Sequence, residues 1–242
     1  MKIKKIASLI CLFFLPTILA RYIINLFHNY YIEKGVKIGF SFILCDELYL
    51  SSNCSIGHFN LISVRKLQMM GNNQIKHLNF IKGAIDVRMD KGAWINSQNK
   101  ITGPIEIYKV SLFWMKTNAV IIMKHLFDVT EDITLGEGCL FAGASTQVWT
   151  HAFHLGSERN VRVDGAVKIG KKCYIGANSV LCSGVSLADN VVVGANTTVS
   201  KSLLEAGLYV SQPVRFIPYN ADEAIKQLGT PVYKNRVYSR NK

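Results

Sequence analysis

Between Ile169 and Val199 apolar residues recur at strict sixfold spacing: Ile169, Ile175, Leu181, Leu187, Val193 and Val199. A small or uncharged residue follows each of the first five anchors: Gly170, Gly176, Cys182, Ala188 and Gly194. Four places after each anchor stands a compact one: Cys173, Ser179, Val185, Val191 and Thr197. A period of six is neither the 3.6 of a helix nor simple alternation; it is a short strand followed by a corner. Three such units close one turn of a triangular coil, with strands of successive coils about 4.8 Å apart. Small residues suit the corners, where a Cβ would meet the turning backbone. Five units obeying three positional rules at once set this stretch apart from ordinary strands joined by glycine turns.

The same beat extends toward the amino terminus. It runs through Ile38, Leu44, Leu50, Ile56 and Ile62, slips to Met69, Ile75, Ile81 and Val87, and resumes as Met89, Ile95, Ile101 and Ile107. Tyr108 to Asn118 keeps it poorly, which predicts a bulge or a looser coil; Met123, Val129, Leu135 and Phe141 restore it. At roughly eighteen residues per turn, positions 36 to 201 predict about nine coils. The fold class expected is all-β: a parallel β-helix of hexapeptide repeats over 35–217, an apolar helical segment over 1–34, and a short helix with a basic tail over 218–242. Asn53, Asn72, Asn79, Asn96 and Asn99 fall at corners and read as turn formers.

Charge and cysteine content narrow the partners. Lys and Arg outnumber Asp and Glu by 28 to 16, favouring phosphates, anionic lipid or nucleic acid. No nucleic-acid-reading motif is present, so no nucleic-acid partner is expected. Cys45, Cys54, Cys139, Cys173 and Cys182 fall on repeat positions that take small core residues, and with Cys11 they form no CxxC. They read as buried thiols of a reducing compartment.

In the first 34 residues Lys2, Lys4 and Lys5 precede an uncharged run from Ile6 to Ala20, interrupted at Arg21. Such a run fits a cleaved signal peptide, a spanning helix, a helix lying on a membrane face with a kink at Pro16, or a helix sealing the solenoid end. The favoured expectation is a cytoplasmic chain touching the membrane face through this segment. Farther on, Ala221 to Leu228 predicts a short helix ended by Gly229 and Pro231.

Between Phe141 and Ile169 the beat breaks at Trp149-Thr150-His151-Ala152-Phe153-His154-Leu155-Gly156-Ser157-Glu158-Arg159-Asn160. A loop leaving a rigid solenoid is a natural place for chemistry, because the coils fix its ends. Alone, a loop histidine reads as solvated. The wider pattern changes that: Thr150-His151, Val167-Lys168-Ile169-Gly170, Tyr174-Ile175-Gly176-Ala177, Val193-Gly194-Ala195, Ser200-Lys201 and Pro213-Val214-Arg215. Together these resemble the hexapeptide-repeat acyltransferases, among them maltose, galactoside and polysaccharide O-acetyltransferases.

The resemblance implies a left-handed β-helix and a homotrimer, neither of which elementary physics supplies, since parallel crossovers are ordinarily right-handed. It also implies O-acyl transfer from acetyl-CoA to a sugar or glycan acceptor, without a metal, and places the catalytic histidine at His151. Ala177 and Ala195 correspond to positions beside the pantetheine arm of coenzyme A. Ser200, Lys201 and Arg215 correspond to positions near its adenosine phosphates, although Ser211-Gln212-Pro213 departs from the usual glycine before the proline. A sugar hydroxyl needs a base as it attacks a thioester, and imidazole, with an ordinary pKa near 6.5, suits that task. His154 is the rival base, and Glu158 and Asp164 are candidates to orient the imidazole. Trp149 reads as packing at the loop root. Two alternatives remain at this stage: a non-catalytic scaffold, and a metal-dependent hydratase needing three convergent histidines, for which His58, His77 and His125 show no suitable spacing.

Overall fold

A six-residue unit lies flat against its neighbours only if its inward side chains stack on equivalents one coil away, and this stacking defines the architecture. The computed structural model describes residues 2–104, 109–155, 157 and 159–211. Arg215, the helix expected over Ala221 to Leu228 and the basic tail lie outside the described residues, as do Ile107 and Glu158.

On one side of the solenoid nine parallel strands, from Lys37–Ile38 to Gly207–Tyr209, form one continuous sheet. Its inward column is Ile38, Ile56, Ile75, Ile95, Ile121, Phe141, Ile175, Val193 and Tyr209, each in register with the next. That makes nine coils, as the periodicity predicts. A second side stacks Ile43, Ile62, Ile81, Ile101, Phe127, Val148, Leu181 and Val199. A third stacks Leu50, Met69, Met89, Met115, Leu135, Ile169 and Leu187. All six anchors between Ile169 and Val199 are buried. At the corners Gly170 and Gly176 are required by close approach: a Cβ would lie 2.5 Å from Ala188 and 2.5 Å from Ala195 backbone atoms respectively.

Three expectations need correction. Leu44 is only half-buried, and Ile43 and Cys45 point inward instead. The strand Phe42–Leu50 runs on through a corner, which shifts the inward position by one residue. Met123 is exposed and Ile121 takes the core place, because the register slips between these two residues. The stretch expected to be loose is so only at its start: eight residues separate Thr102 from Ser111 where two separate Lys82 from Ile85, and from there Ser111–Met115 pairs residue for residue with Ile85–Met89. Strict alternation, with Ser111, Phe113 and Met115 inward, carries the coil there.

A polar ladder runs inside the corner between the first and second sides. The backbone N–H of Asn60 donates to Ser41, that of Asn79 to Asn60, that of Asn99 to Asn79 and that of His125 to Asn99. It continues from Thr146 to His125, Ser179 to Thr146 and Thr197 to Ser179. Asn79 and Asn99 are therefore corner residues whose amides face inward, whereas Asn53 and Asn72 adopt the left-handed turn conformation expected of them. Each rung satisfies a backbone donor that burial would otherwise leave unpaired. Cys45, Cys54, Cys139 and Cys173 are buried free thiols, and Cys11 and Cys182 are half-buried. Burial pushes the Cys139 thiol up to about 12, so it packs as a small apolar group.

The amino-terminal segment forms α1 (Lys2–Phe14) and α2 (Thr17–Ile24), separated at Pro16. Leu12, Ala20 and Ile24 join the solenoid core, so these helices seal its first coil. Among the described residues no helix is long and apolar enough to cross a membrane.

Candidate active site

The site begins with the packing of Phe127. This residue is fully buried and meets Phe113 and Phe141 edge-on, with ring centroids 5.3 and 5.1 Å apart. Each such aromatic pair contributes about 0.5–1.5 kcal/mol beyond its buried area. Phe127 thereby holds the strand Leu126–Asp128, which ends with the Asp128 carboxylate at the corner between the second and third sides.

One coil later the second-side strand Gln147–Val148 leads into Trp149 and Thr150. Thr150 is fully buried and ties three coils together. Its N–H donates to Asp128 Oδ2 at 3.2 Å, and its carbonyl accepts from Gly165 and from the Ser183 hydroxyl. Its own hydroxyl accepts the Glu131 N–H and lies 2.8 Å from the Asp128 carbonyl oxygen. The next residue is thus held firmly against Asp128: His151 Nδ1 lies 2.7 Å from Asp128 Oδ2. The other carboxylate oxygen, Oδ1, accepts the Thr130 hydroxyl at 3.0 Å.

Asp128 is mostly buried, and its Oδ2 already takes the Thr150 N–H, which fixes its direction. An ionised carboxylate can only accept, so the hydrogen belongs on Nδ1 and the lone pair on Nε2. Trp149 and Phe153 stand edge-on to the imidazole, centroids 6.1 and 5.7 Å away. The ring keeps partial access to solvent, with 27% of its side-chain surface exposed. Trp149 also donates to Gln147, consistent with packing at the root of the insertion.

The insertion is an antiparallel hairpin rather than an irregular loop: His151–Leu155 pairs with Asn160–Asp164. Alternation puts His151, Phe153 and Leu155 on one face and His154 on the other. The rival base is thereby separated from the Asp128 pocket. Asp164, though opposite His151 in register, directs its carboxylate to Arg162 at 2.8 Å. Asp128 is the carboxylate that orients His151, and it was absent from the sequence-based candidates.

The expected donor-binding residues divide between two edges. Ser200 and Lys201 follow the second-side strand Thr198–Val199, on the edge that carries His151 and two coils farther along, about 10 Å by strand spacing. A hollow of about 220 Å³ lies across the last described coil, lined from all three sides, by Thr198, Ser200, Lys201, Leu203 and Tyr209 among others. Ala177 and Ala195 lie on the neighbouring edge, where Ala144 joins them: the Asn178 N–H donates to the Ala144 carbonyl and the Asn196 N–H to that of Ala177. Within one chain the whole second side separates these alanines from His151. Of the other histidines, His58 and His77 stack 5.6 Å apart, and His125 belongs to the internal ladder. Among the described residues no three potential ligands converge on a metal position.

Residues 166–201 match the model for the hexapeptide repeat of succinyl-transferase. Over 98 residues the chain is 31% identical to the Bacillus subtilis (strain 168) protein named "Putative acetyltransferase YvoF", covering 40% of this chain and 54% of that one. The chain therefore spans about half the length of this curated relative. Among solved structures it is similar to the hexapeptide-repeat-containing acetyltransferase VCA0836 from Vibrio cholerae, with 24% identity, a TM-score of 0.37 and coverage of 44% of this chain and 66% of that one. The polysialic acid O-acetyltransferase OatWY is similar over 87% of each chain, with 16% identity and a TM-score of 0.41.

Proposed function

We propose that this chain, whose repeat belongs to the hexapeptide-repeat acyltransferase family, transfers an acyl group, acetyl in the simplest case, from coenzyme A to a hydroxyl of a sugar or glycan. The observation that carries the reading is the 2.7 Å contact between His151 Nδ1 and Asp128. It leaves Nε2 as a base on a half-open edge, flanked by two aromatic rings.

In this mechanism the acceptor hydroxyl gives its proton to His151 Nε2 as its oxygen attacks the thioester carbonyl. The tetrahedral intermediate collapses by breaking the carbon–sulfur bond, and the departing thiolate takes the proton back from the imidazolium. Asp128 stabilises that imidazolium and holds its tautomer; it is a positioning residue. The thioester supplies its own leaving group, so no covalent enzyme intermediate is needed. Ser200 and Lys201 receive the phosphate end of the donor along the same edge, and a lysine ammonium suits a phosphate there. Ala177 and Ala195 serve the pantetheine arm across a cleft between copies, which explains why they lie one side of the triangle away from His151. The assembly proposed is accordingly a trimer, with each donor held between the His151 edge of one copy and the alanine edge of the next.

Thiol release from acetyl-CoA, followed with a panel of sugars, tests the reading. Wild type should release thiol only with an acceptor, and His151→Ala should lower the rate about 100- to 10,000-fold. A folded His151→Ala protein that keeps full activity would sink the proposal. No release with any acceptor would favour a non-catalytic scaffold.

A further inference from the structure

The cap that seals the solenoid has two faces, and only one is used. Leu12, Ala20 and Ile24 point into the core. Along the opposite side run Ile6, Ile10 and Phe14 of α1, then Ile18, Tyr22 and Leu26, all exposed. Phe14 is 72% exposed, Ile18 71% and Leu26 83%. Water tolerates scattered apolar residues, but six large ones on the outer side of two consecutive helices and the turn after them mark an interaction surface.

Charge identifies the partner. No Asp or Glu occurs before Glu33, while Lys2, Lys4, Lys5 and Arg21 do. Beside the row, a groove of about 440 Å³ is lined by Ile18, Arg21, Tyr22, Lys34, Val36 and Lys37, with Glu33 its only acid. The Glu33 carboxylate already accepts the Ser52 N–H at 2.7 Å. A second copy docking through the same patch would set these cations against their equivalents. An anionic lipid surface satisfies both the apolar row and the cations. Helices of 13 and 8 residues fall well short of the ~20 needed to span the hydrocarbon core, so they would lie along the interface. We infer that the exposed face of the α1–α2 cap docks the protein on a bilayer rich in anionic headgroups.

The test is co-sedimentation of the full chain with phosphatidylcholine vesicles, with and without phosphatidylglycerol. Wild type should pellet with the anionic vesicles and only weakly with the neutral ones. Phe14→Asp with Ile18→Asp should remain in the supernatant, and Lys34→Ala with Lys37→Ala should bind anionic vesicles roughly thirty-fold more weakly. Unchanged melting curves and lipid-free thiol release establish that these variants are folded, so the result stands apart from that of the acyl-transfer assay. Wild type left in the supernatant, or lysine variants that bind as well as wild type, would overturn the inference. So would a lipid-free assembly that Phe14→Asp with Ile18→Asp dissociates, since a second copy would then be the occupant.

Discussion

Asp128→Asn is the sharpest test of the site, because it changes one charge and almost no volume. An asparagine can keep its amide oxygen toward the Thr150 N–H and His151, with its NH₂ turned to the Thr130 hydroxyl, which is able to accept. The fold should therefore survive, and the melting temperature should stay near that of wild type. What is lost is the negative charge opposite the imidazolium as the proton transfers. A hydrogen bond to a charged group contributes about 1.5–3 kcal/mol, which corresponds to a fall in kcat of roughly ten- to 150-fold. KM for the acyl donor should hold, because Asp128 faces Thr150 and His151 rather than Ser200 and Lys201. In a His151→Ala background the same substitution should cost little more, since the two side chains act as one unit. Steady-state thiol release measures all three quantities. A folded Asp128→Asn protein with unchanged kcat refutes the argument, as does a full additional loss on top of His151→Ala.

Three further outcomes follow from the solenoid and its edges. Burial pushes His125 down to about 4, so above about pH 6.5 it is neutral in both folded and unfolded chains, whereas below that the unfolded chain takes up the proton first. Its contribution is lost as pH falls from 6.5 toward 4; about 2 kcal/mol should vanish by pH 5 in urea titrations, and His125→Asn, which restores the ladder's own residue, should flatten that dependence. Asn79→Ala strips the acceptor from the buried Asn99 N–H and should cost about 1–3 kcal/mol by denaturant unfolding. Lys201→Ala should raise KM for acetyl-CoA by roughly tenfold while kcat stays constant, a single charged contact being the only interaction removed.

How much could be read in advance divides along physical lines. Inward columns were legible because a solenoid repeats one local rule, and every anchor from Ile169 to Val199 is buried. Leu44 and Met123 misled because a continuous strand through a corner, or a register slip, moves the inward position without changing composition. His151 was visible as a break in the beat, but Asp128 was not. An acid just after an inward Phe127 reads as solvated, and only the coil-to-coil register brings it to a histidine 23 residues later. The ladder did leave a signal in the spacing of Asn60, Asn79 and Asn99, separated by 19 and 20 residues. Periodic asparagines on the outside of corners and on the inside look alike in sequence; burial separates them.

The solenoid is also a measure of length. His151 follows the sixth second-side strand from the capped end, so about five strand spacings, roughly 24 Å, separate the first coil from His151. If the capping helices rest on lipid with the solenoid upright, and His151 is the base proposed above, the acceptor oxygen would stand about that far above the headgroups. A sugar joined directly to its anchor would fall short, whereas a chain several residues long would reach. Adding or deleting a whole coil between cap and base would then change which unit of a tethered glycan is modified.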